Sequence, residues 1–270
     1  MIFPDLSLAK LLELHSAQGA VEHARTQAEI YPDTRASFLP AAGGYAVFCG
    51  RNSPNSTAYG LGMSRPVSVE DLDLVEDFYK IRGRGVEIDV CPLADSSLVK
   101  LLSERAYRIR DFMNVYYLDF EEADVHFIPS PEFEIRVADE DEAREWFERA
   151  DFGGDWAEPD GISFMTIRCT LKKGARLYLA WKDGQMAGGG GLFIQEKTAS
   201  LMAAATLPEY RSQGIQTALL RARLGAAVEA GCDLAMVHTT PGSDSQRNVL
   251  RTGFHLAYTL ARMYLPFQTG

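Results

Sequence analysis

The run with the clearest chemical potential is Pro208-Glu209-Tyr210-Arg211-Ser212-Gln213-Gly214-Ile215-Gln216-Thr217-Ala218-Leu219-Leu220. A strand-like segment, TASLMAAATLP, leads into it, and a helical pattern follows. The first N–H groups of a helix have no partner within the helix, and the helix dipole favours negative charge at that end. A loop entering a helix in this way is a ready site for a pyrophosphate. Gly214 lets the backbone come close, Thr217 offers a hydroxyl and Arg211 a positive charge.

The rest of the chain must position this loop. Its 270 residues are 46% hydrophobic and 24% charged, enough apolar material for packed cores and against disorder. That length suggests about two domains. A formal net charge of −10 argues against a large nucleic-acid footprint but permits a small basic site for a phosphorylated ligand. No run of about 18 apolar residues predicts a membrane span. The start, MIFPDLSLAK, has acid where a secretory signal carries base, so a cytoplasmic protein is expected. Cys49, Cys91, Cys169 and Cys232 lie far apart with no CxxC pair. They read as small buried residues of a reduced protein, with no metal site or disulfide framework.

Apolar spacing predicts a helix over most of the first forty residues, broken at Pro32-Asp33. GGYAVFCG and TAYGLGM read as strands, and Ser68 with Asp71 marks a capped helix start. A strand in VEIDVC, a helix in SSLVKLLSERAY and a strand in RIRDFMNVYYLDF complete the first half. EEADVHFIPSPEF, with two prolines and an acidic run, reads as a linker. Beyond it come a strand and capped acidic helix, a hairpin turning at Asp183-Gly184, the strand and loop above, and then strand, helix, strand. Both halves end in the same order. Val90 and Val237, Tyr107 and Phe254, and Tyr117 and Tyr264 are each separated by 147 residues. This constant register suggests a duplication, against the alternative that two α/β segments resemble each other by chance. The expected division is a first domain over 1–125, a linker over 126–133 and a second domain over 134–270.

The second half resembles the GNAT acetyltransferase superfamily. That family's phosphate loop reads Arg or Gln, two residues, Gly, one residue, Gly or Ala. Arg211 and Gly214 match it, and Gln216 replaces the last small residue. Ser245-Gln246-Arg247-Asn248 followed by Arg251-Thr252-Gly253-Phe254 is similar to the family's late helix and Gly-Phe corner. The resemblance covers residues 134–270 and implies an α/β fold with a mixed sheet, in two tandem GNAT-like domains. It also implies acetyl-CoA as acyl donor, lying where two parallel strands splay. Pantetheine would pair with the strand backbone at Ala205, Thr206 and Leu207. The pyrophosphate would meet Arg211 and the amides of Ser212, Gln213, Gly214, Ile215, Gln216 and Thr217. Asn248 and Ser245 would contact the donor or cap their helix. Arg247 and Arg251 fit either the CoA phosphates or water.

Two familiar groups are missing. LMAAATLP has no carboxylate before Glu209, and Val249 stands where many members carry a proton-donating tyrosine. Loss of a general acid or base typically costs about 10²–10⁴ in rate. Positioning and backbone N–H groups can still drive acyl transfer. His238, at the end of a strand beside the splay, is one substitute, and its alternative is a structural histidine. Tyr264 is another and Tyr258 a third, with core packing as the alternative for both. Asp155, Trp156 and Glu158, in the segment DFGGDWAEPD, form either a site for a cationic amine or a solvated acidic loop. The resemblance implies a small-molecule or peptide amine as acceptor, and the chain is expected as a monomer or homodimer.

The first half diverges at the matching place. Val67 lies 147 residues before Gly214, Pro66 removes an N–H, and Glu70, Asp71 and Asp73 load the helix start with negative charge. Such a start repels a pyrophosphate. Arg82-Gly83-Arg84-Gly85 imitates a phosphate loop but leads into a strand, so it reads as a turn. The second half is therefore expected to bind acyl-CoA, and the first to keep the fold without the donor. The competing reading is a non-catalytic acyl-CoA-binding or regulatory protein. Ala203, Ala204 and Ala205 would also leave room for a longer acyl chain.

Overall fold

The computed structural model describes residues 3–123, 132–150, 168–172 and 174–267. In chain order it contains helix α1 (Leu6–Ile30), strands β1 (Ser37–Ala41), β2 (Gly44–Phe48) and β3 (Ala58–Tyr59), helix α2 (Val69–Lys80) and strand β4 (Val86–Val90). Helix α3 (Ser96–Glu104) and strand β5 (Arg108–Asp119) follow, then β6 (Glu134–Val137), α4 (Glu140–Arg149), β7 (Arg176–Lys182), β8 (Gln185–Gln195) and β9 (Thr198–Thr206). The last elements are α5 (Ile215–Glu229), β10 (Leu234–Thr239), α6 (Asp244–Arg251) and β11 (His255–Leu265). The starts of α2 and α5, β4 and β10, α3 and α6, and β5 and β11 lie 146, 148, 148 and 147 residues apart. The register read from the sequence is thus also the register of the elements.

Two compact units divide the chain: Phe3–Val115 with the segment from Leu256 onward, and Tyr116–His255. The limits expected from the sequence follow the repeat. The compact units instead group the last strand with the first half, because β11 pairs antiparallel with β4, Ala261 opposite Val90 and Leu265 opposite Val86.

In the first unit the strand order is β1-β2-β3-β4-β11-β5. Asp5 starts α1 by accepting from the amides of Ser7 and Leu8 at 2.9 and 3.0 Å. Ser68 and Asp71 form the expected capping box at α2. Leu72, Val75 and Tyr79 of α2 pack with Ile88 and Val90 of β4 and Leu98 and Leu102 of α3. Each leucine buried in this way contributes about 1.5–3 kcal/mol. Two elements differ from expectation. Ser37–Ala41 is a strand paired to β2 through a turn at Ala42 and Gly43, both at positive φ. Pro40 is tolerated there because β1 is an edge strand. The expected strand TAYGLGM is reduced to Ala58–Tyr59, since Gly60 and Gly62 turn the chain at φ 69° and 74°.

In the second unit the order is β10-β9-β8-β7-β6, with β9 and β10 parallel and the other pairs antiparallel. Alternation along β7 sends Leu177 and Leu179 to α4, where Trp146 is buried, and Tyr178 and Ala180 to α5, where Leu219, Leu220 and Leu224 are buried. The hairpin turns at Asp183 and Gly184, both at positive φ, as the Asp-Gly pair requires. All four cysteines are buried free thiols.

Candidate functional site

The loop between β9 and α5 has an unusual backbone. Ser212 takes φ 63° and Gly214 φ 82°. Left-handed conformations are costly for a serine and natural for a glycine. Successive N–H groups in such turns make an anion-binding concavity. Tyr210 N–H bonds Leu207 O, Arg211 N–H bonds Pro208 O, and Ala218 N–H bonds Gly214 O. Among the described residues, the amides from Ser212 to Thr217 between them have no internal acceptor. Gly214 has nothing within 4 Å of the place its Cβ would occupy. A pyrophosphate fits this set of donors.

The side chains agree with that reading. Gln216 Nε2 donates to the Thr206 hydroxyl at 2.8 Å, which holds this larger residue against the end of β9. Arg211 Nε donates to Thr206 O at 3.4 Å, leaving the guanidinium exposed beside the loop. Lys182 Nζ donates to Gln213 Oε1 at 2.6 Å, a second cation at the loop. Sequence reasoning missed Lys182. Its one signal was its place at the end of β7, just before the Asp-Gly turn.

The strands form the expected cleft. β9 and β10 pair from Leu234 opposite Thr198 to Val237 opposite Leu201, and both strands then run on unpaired to each other, to Thr206 and Thr239. On its other side β9 pairs with β8, but the register jumps between Gly189 and Gly191, so Ala203 and Ala204 stand opposite Gly190. This is a β-bulge, with Ala203 at φ 48°. Ala203 and Ala204 are exposed and Ala205 and Thr206 half-buried, which leaves the strand backbone accessible. Leu207 is buried, and its N–H is taken by Ala187 O at 3.0 Å.

The glycine run of β8 makes this packing possible. A Cβ on Gly188 would come within 2.9 Å of Ile215, one on Gly189 within 2.7 Å of Trp146, and one on Gly190 within 2.6 Å of the Arg223 guanidinium. Large side chains from both faces therefore press onto the strand beside the bulge.

The remaining predicted residues divide. His238 is exposed on β10, one residue past the last pair with β9, so it lies in the splayed part. Ser245 is exposed in the first turn of α6, and Asn248 is half-buried one turn on. The helix cap is Ser243, whose side chain accepts from Gln246 N–H at 3.2 Å, so neither Ser245 nor Asn248 is needed as the cap. Val249 is buried at 3% exposure, and the Gly-Phe corner closes α6 with Gly253 at φ 96° and Phe254 buried. Tyr264 belongs to the first unit, where its hydroxyl would lie 2.9 Å from a Cβ on Gly85. Tyr258 is also there, donating to the Glu13 carboxyl at 2.8 Å. Asp155, Trp156 and Glu158 lie outside the described residues.

The matching place in the first half is closed by its own side chains. Val67 N–H donates to Ser97 Oγ at 2.8 Å, and Ser68 N–H to the Asp71 carboxylate at 3.0 Å. Arg65 forks onto both Asp71 oxygens at 2.7 Å, holding that carboxyl well below its usual range. Gly60, 147 residues before Leu207, gives its backbone N–H to the buried Glu13 carboxyl. The amides of Gly60, Val67 and Ser68 are thus already paired within the chain, and Pro66 has none to offer.

Residues 139–254 match the sequence model of the acetyltransferase (GNAT) family. No curated protein matches the sequence. Among solved structures, the chain is similar to a GCN5-related N-acetyltransferase from Kribbella flavida at 18% identity and a TM-score of 0.65, over 90% of this chain and 95% of that one. It is similar to a tandem GNAT protein from the clavulanic acid biosynthesis pathway at 14% identity and a TM-score of 0.60, over 86% of this chain and 82% of that one. A GCN5-related N-acetyltransferase from Sphaerobacter thermophilus shares 15% identity and a TM-score of 0.58, over 74% of this chain and 67% of that one. Residues 139–254 thus match the GNAT family model, and the mixed α/β fold is similar to that of a solved tandem GNAT protein. Acyl transfer is the chemistry this fold generally supports.

Proposed function

We propose that the protein is an N-acetyltransferase that moves an acetyl group from acetyl-CoA to an amine. The observation that carries this reading is the unspent donor set from Ser212 to Thr217, next to a strand pair that splays after Leu201 and Val237. In this reading Arg211 and Lys182 face the pyrophosphate, and the backbone of Ala205 to Leu207 lines the pantetheine. Ser245 and Asn248 flank the donor from α6. The amine nitrogen attacks the thioester carbonyl, the C–S bond breaks, and CoA leaves as a thiolate. The ammonium proton must then be lost, and in this reading His238 takes it. Backbone N–H groups at the bulge polarise the carbonyl. Asp155, Trp156 and Glu158 are proposed to receive a cationic acceptor, and residues 134–270 to act as the donor-binding half.

A second reading has its own observation. β9 carries no carboxylate and the buried Val249 cannot donate a proton, which suits a protein that binds acyl-CoA without turnover. Release of CoA thiol from acetyl-CoA, measured over a panel of polyamines, amino sugars and peptide N-termini, separates the two. The proposal expects acceptor-dependent release. Tight acetyl-CoA binding with no release on any acceptor favours the second reading. A chain-length series of acyl-CoAs tests whether the open surface at Ala203 and Ala204 admits a longer group.

A further inference from the structure

Among the described residues of the second unit, Arg223 is the one buried arginine. It lies on the inner face of α5 and is 2% exposed, although a guanidinium in a core is costly to desolvate. Among the described residues no carboxylate pairs with it. Its Nε donates to Leu219 O at 3.0 Å, and one terminal nitrogen reaches Gly191 O at 3.1 Å and Met202 O at 3.5 Å. Gly191 and Met202 are opposite each other on β8 and β9, the last regular pair before the bulge. Gly190, opposite the bulge, is the residue whose missing side chain makes room for the guanidinium. Burial lowers its pKa to about 10, so it stays charged at neutral pH.

We propose that Arg223 is a positioning residue. It bridges carbonyls of both strands at the edge of the bulge and so holds Ala203 and Ala204 out of the ladder. The bulge sets the path of β9 from Met202 to Thr206, and this is the stretch that runs clear of β10. An apolar side chain could fill the same space, but it could not hold two carbonyls from neighbouring strands. Arg223 thereby fixes the backbone that would pair with pantetheine, while the phosphate loop is fixed separately by Gly214 and the start of α5. The inference rests on the reading of β9 as the donor-binding strand.

Two variants and two probes test it. Arg223→Met fills the volume without the charge or the bonds, and Arg223→Lys keeps the charge with its donors on a single nitrogen. Acetyl-CoA spans loop and strand, whereas adenosine 3′,5′-bisphosphate carries only the nucleotide end. Arg223→Met should weaken acetyl-CoA at least tenfold and the bisphosphate by less than twofold, with Arg223→Lys between wild type and Met for acetyl-CoA. Amide hydrogen exchange on the ligand-free protein should show faster exchange at residues 202–206 in Arg223→Met and unchanged exchange in β7. Equal weakening of both ligands, no weakening of either, or unchanged exchange at 202–206 overturns the proposal. If wild-type protein fails to bind acetyl-CoA, the functional reading falls, and the exchange result alone decides the role of Arg223 in holding the bulge.

Discussion

Glu13 supplies a sharp test of the first unit. Its carboxyl sits on α1 at 2% exposure, bonded by Tyr258 Oη at 2.8 Å and by Gly60 N–H. Burial is the largest influence and pushes its pKa up from 4.5 to about 8, with the nearby Asp89 adding to the rise. The native state therefore keeps a proton that the unfolded chain releases above about pH 4.5. The stability this site contributes is fully present below that value and is lost as pH rises through about 8. At about 1.4 kcal/mol per pKa unit, the ceiling on the loss is about 5 kcal/mol. Glu13→Gln removes the titration while leaving an oxygen for Tyr258. The assay is urea unfolding of wild type and variant at pH 5, 7 and 9. The variant should gain at least about 2 kcal/mol on wild type between pH 5 and 9, a conservative part of that ceiling. Parallel stability curves across this range would refute the assignment of Glu13 as a buried neutral acid.

Three further outcomes follow from other contacts. Gly189→Ala puts a Cβ 2.7 Å from Trp146 and should destabilise the second unit by about 1–3 kcal/mol in chemical denaturation. Asp71→Ala removes both the capping box and the Arg65 fork and should cost about 1–2 kcal/mol of stability in thermal melts, without changing acetyl-CoA affinity. His238→Gln should lower kcat by about 10²-fold while KM for acetyl-CoA stays within twofold; an unchanged kcat rejects His238 as the base.

What could be read from the sequence was local. The loop from Arg211 to Thr217 announces itself because Arg211 and Gly214 stand at phosphate-loop spacing between a strand pattern and a helix pattern, and Ser68 with Asp71 marks a cap within four residues. The Asp183-Gly184 turn is equally self-contained. The strand β1 was hidden because Ala42-Gly43 makes a positive-φ turn without the usual asparagine or aspartate. The shortening of β3 depended on what Gly60 and Gly62 do in space. A repeat of 147 residues identifies β11 as the counterpart of β5 but cannot say that β11 pairs with β4, because register along a chain carries no information about strand neighbours. Arg223 was the hardest to see. In LLRARLG an arginine reads as part of a solvated helix face, and only Gly190 on another strand reveals the space that buries it.

The central claim is that the loop at Gly214 binds the pyrophosphate of an acyl-CoA. Isothermal titration of acetyl-CoA into wild type and Gly214→Glu tests it most directly, with Gly214→Asn as a control, since asparagine tolerates positive φ. Wild type should bind one equivalent. Gly214→Glu should lose at least a hundredfold in affinity, and Gly214→Asn less, with the circular dichroism of all three unchanged. Equal affinity in wild type and a folded Gly214→Glu, or no binding by wild type, would contradict it.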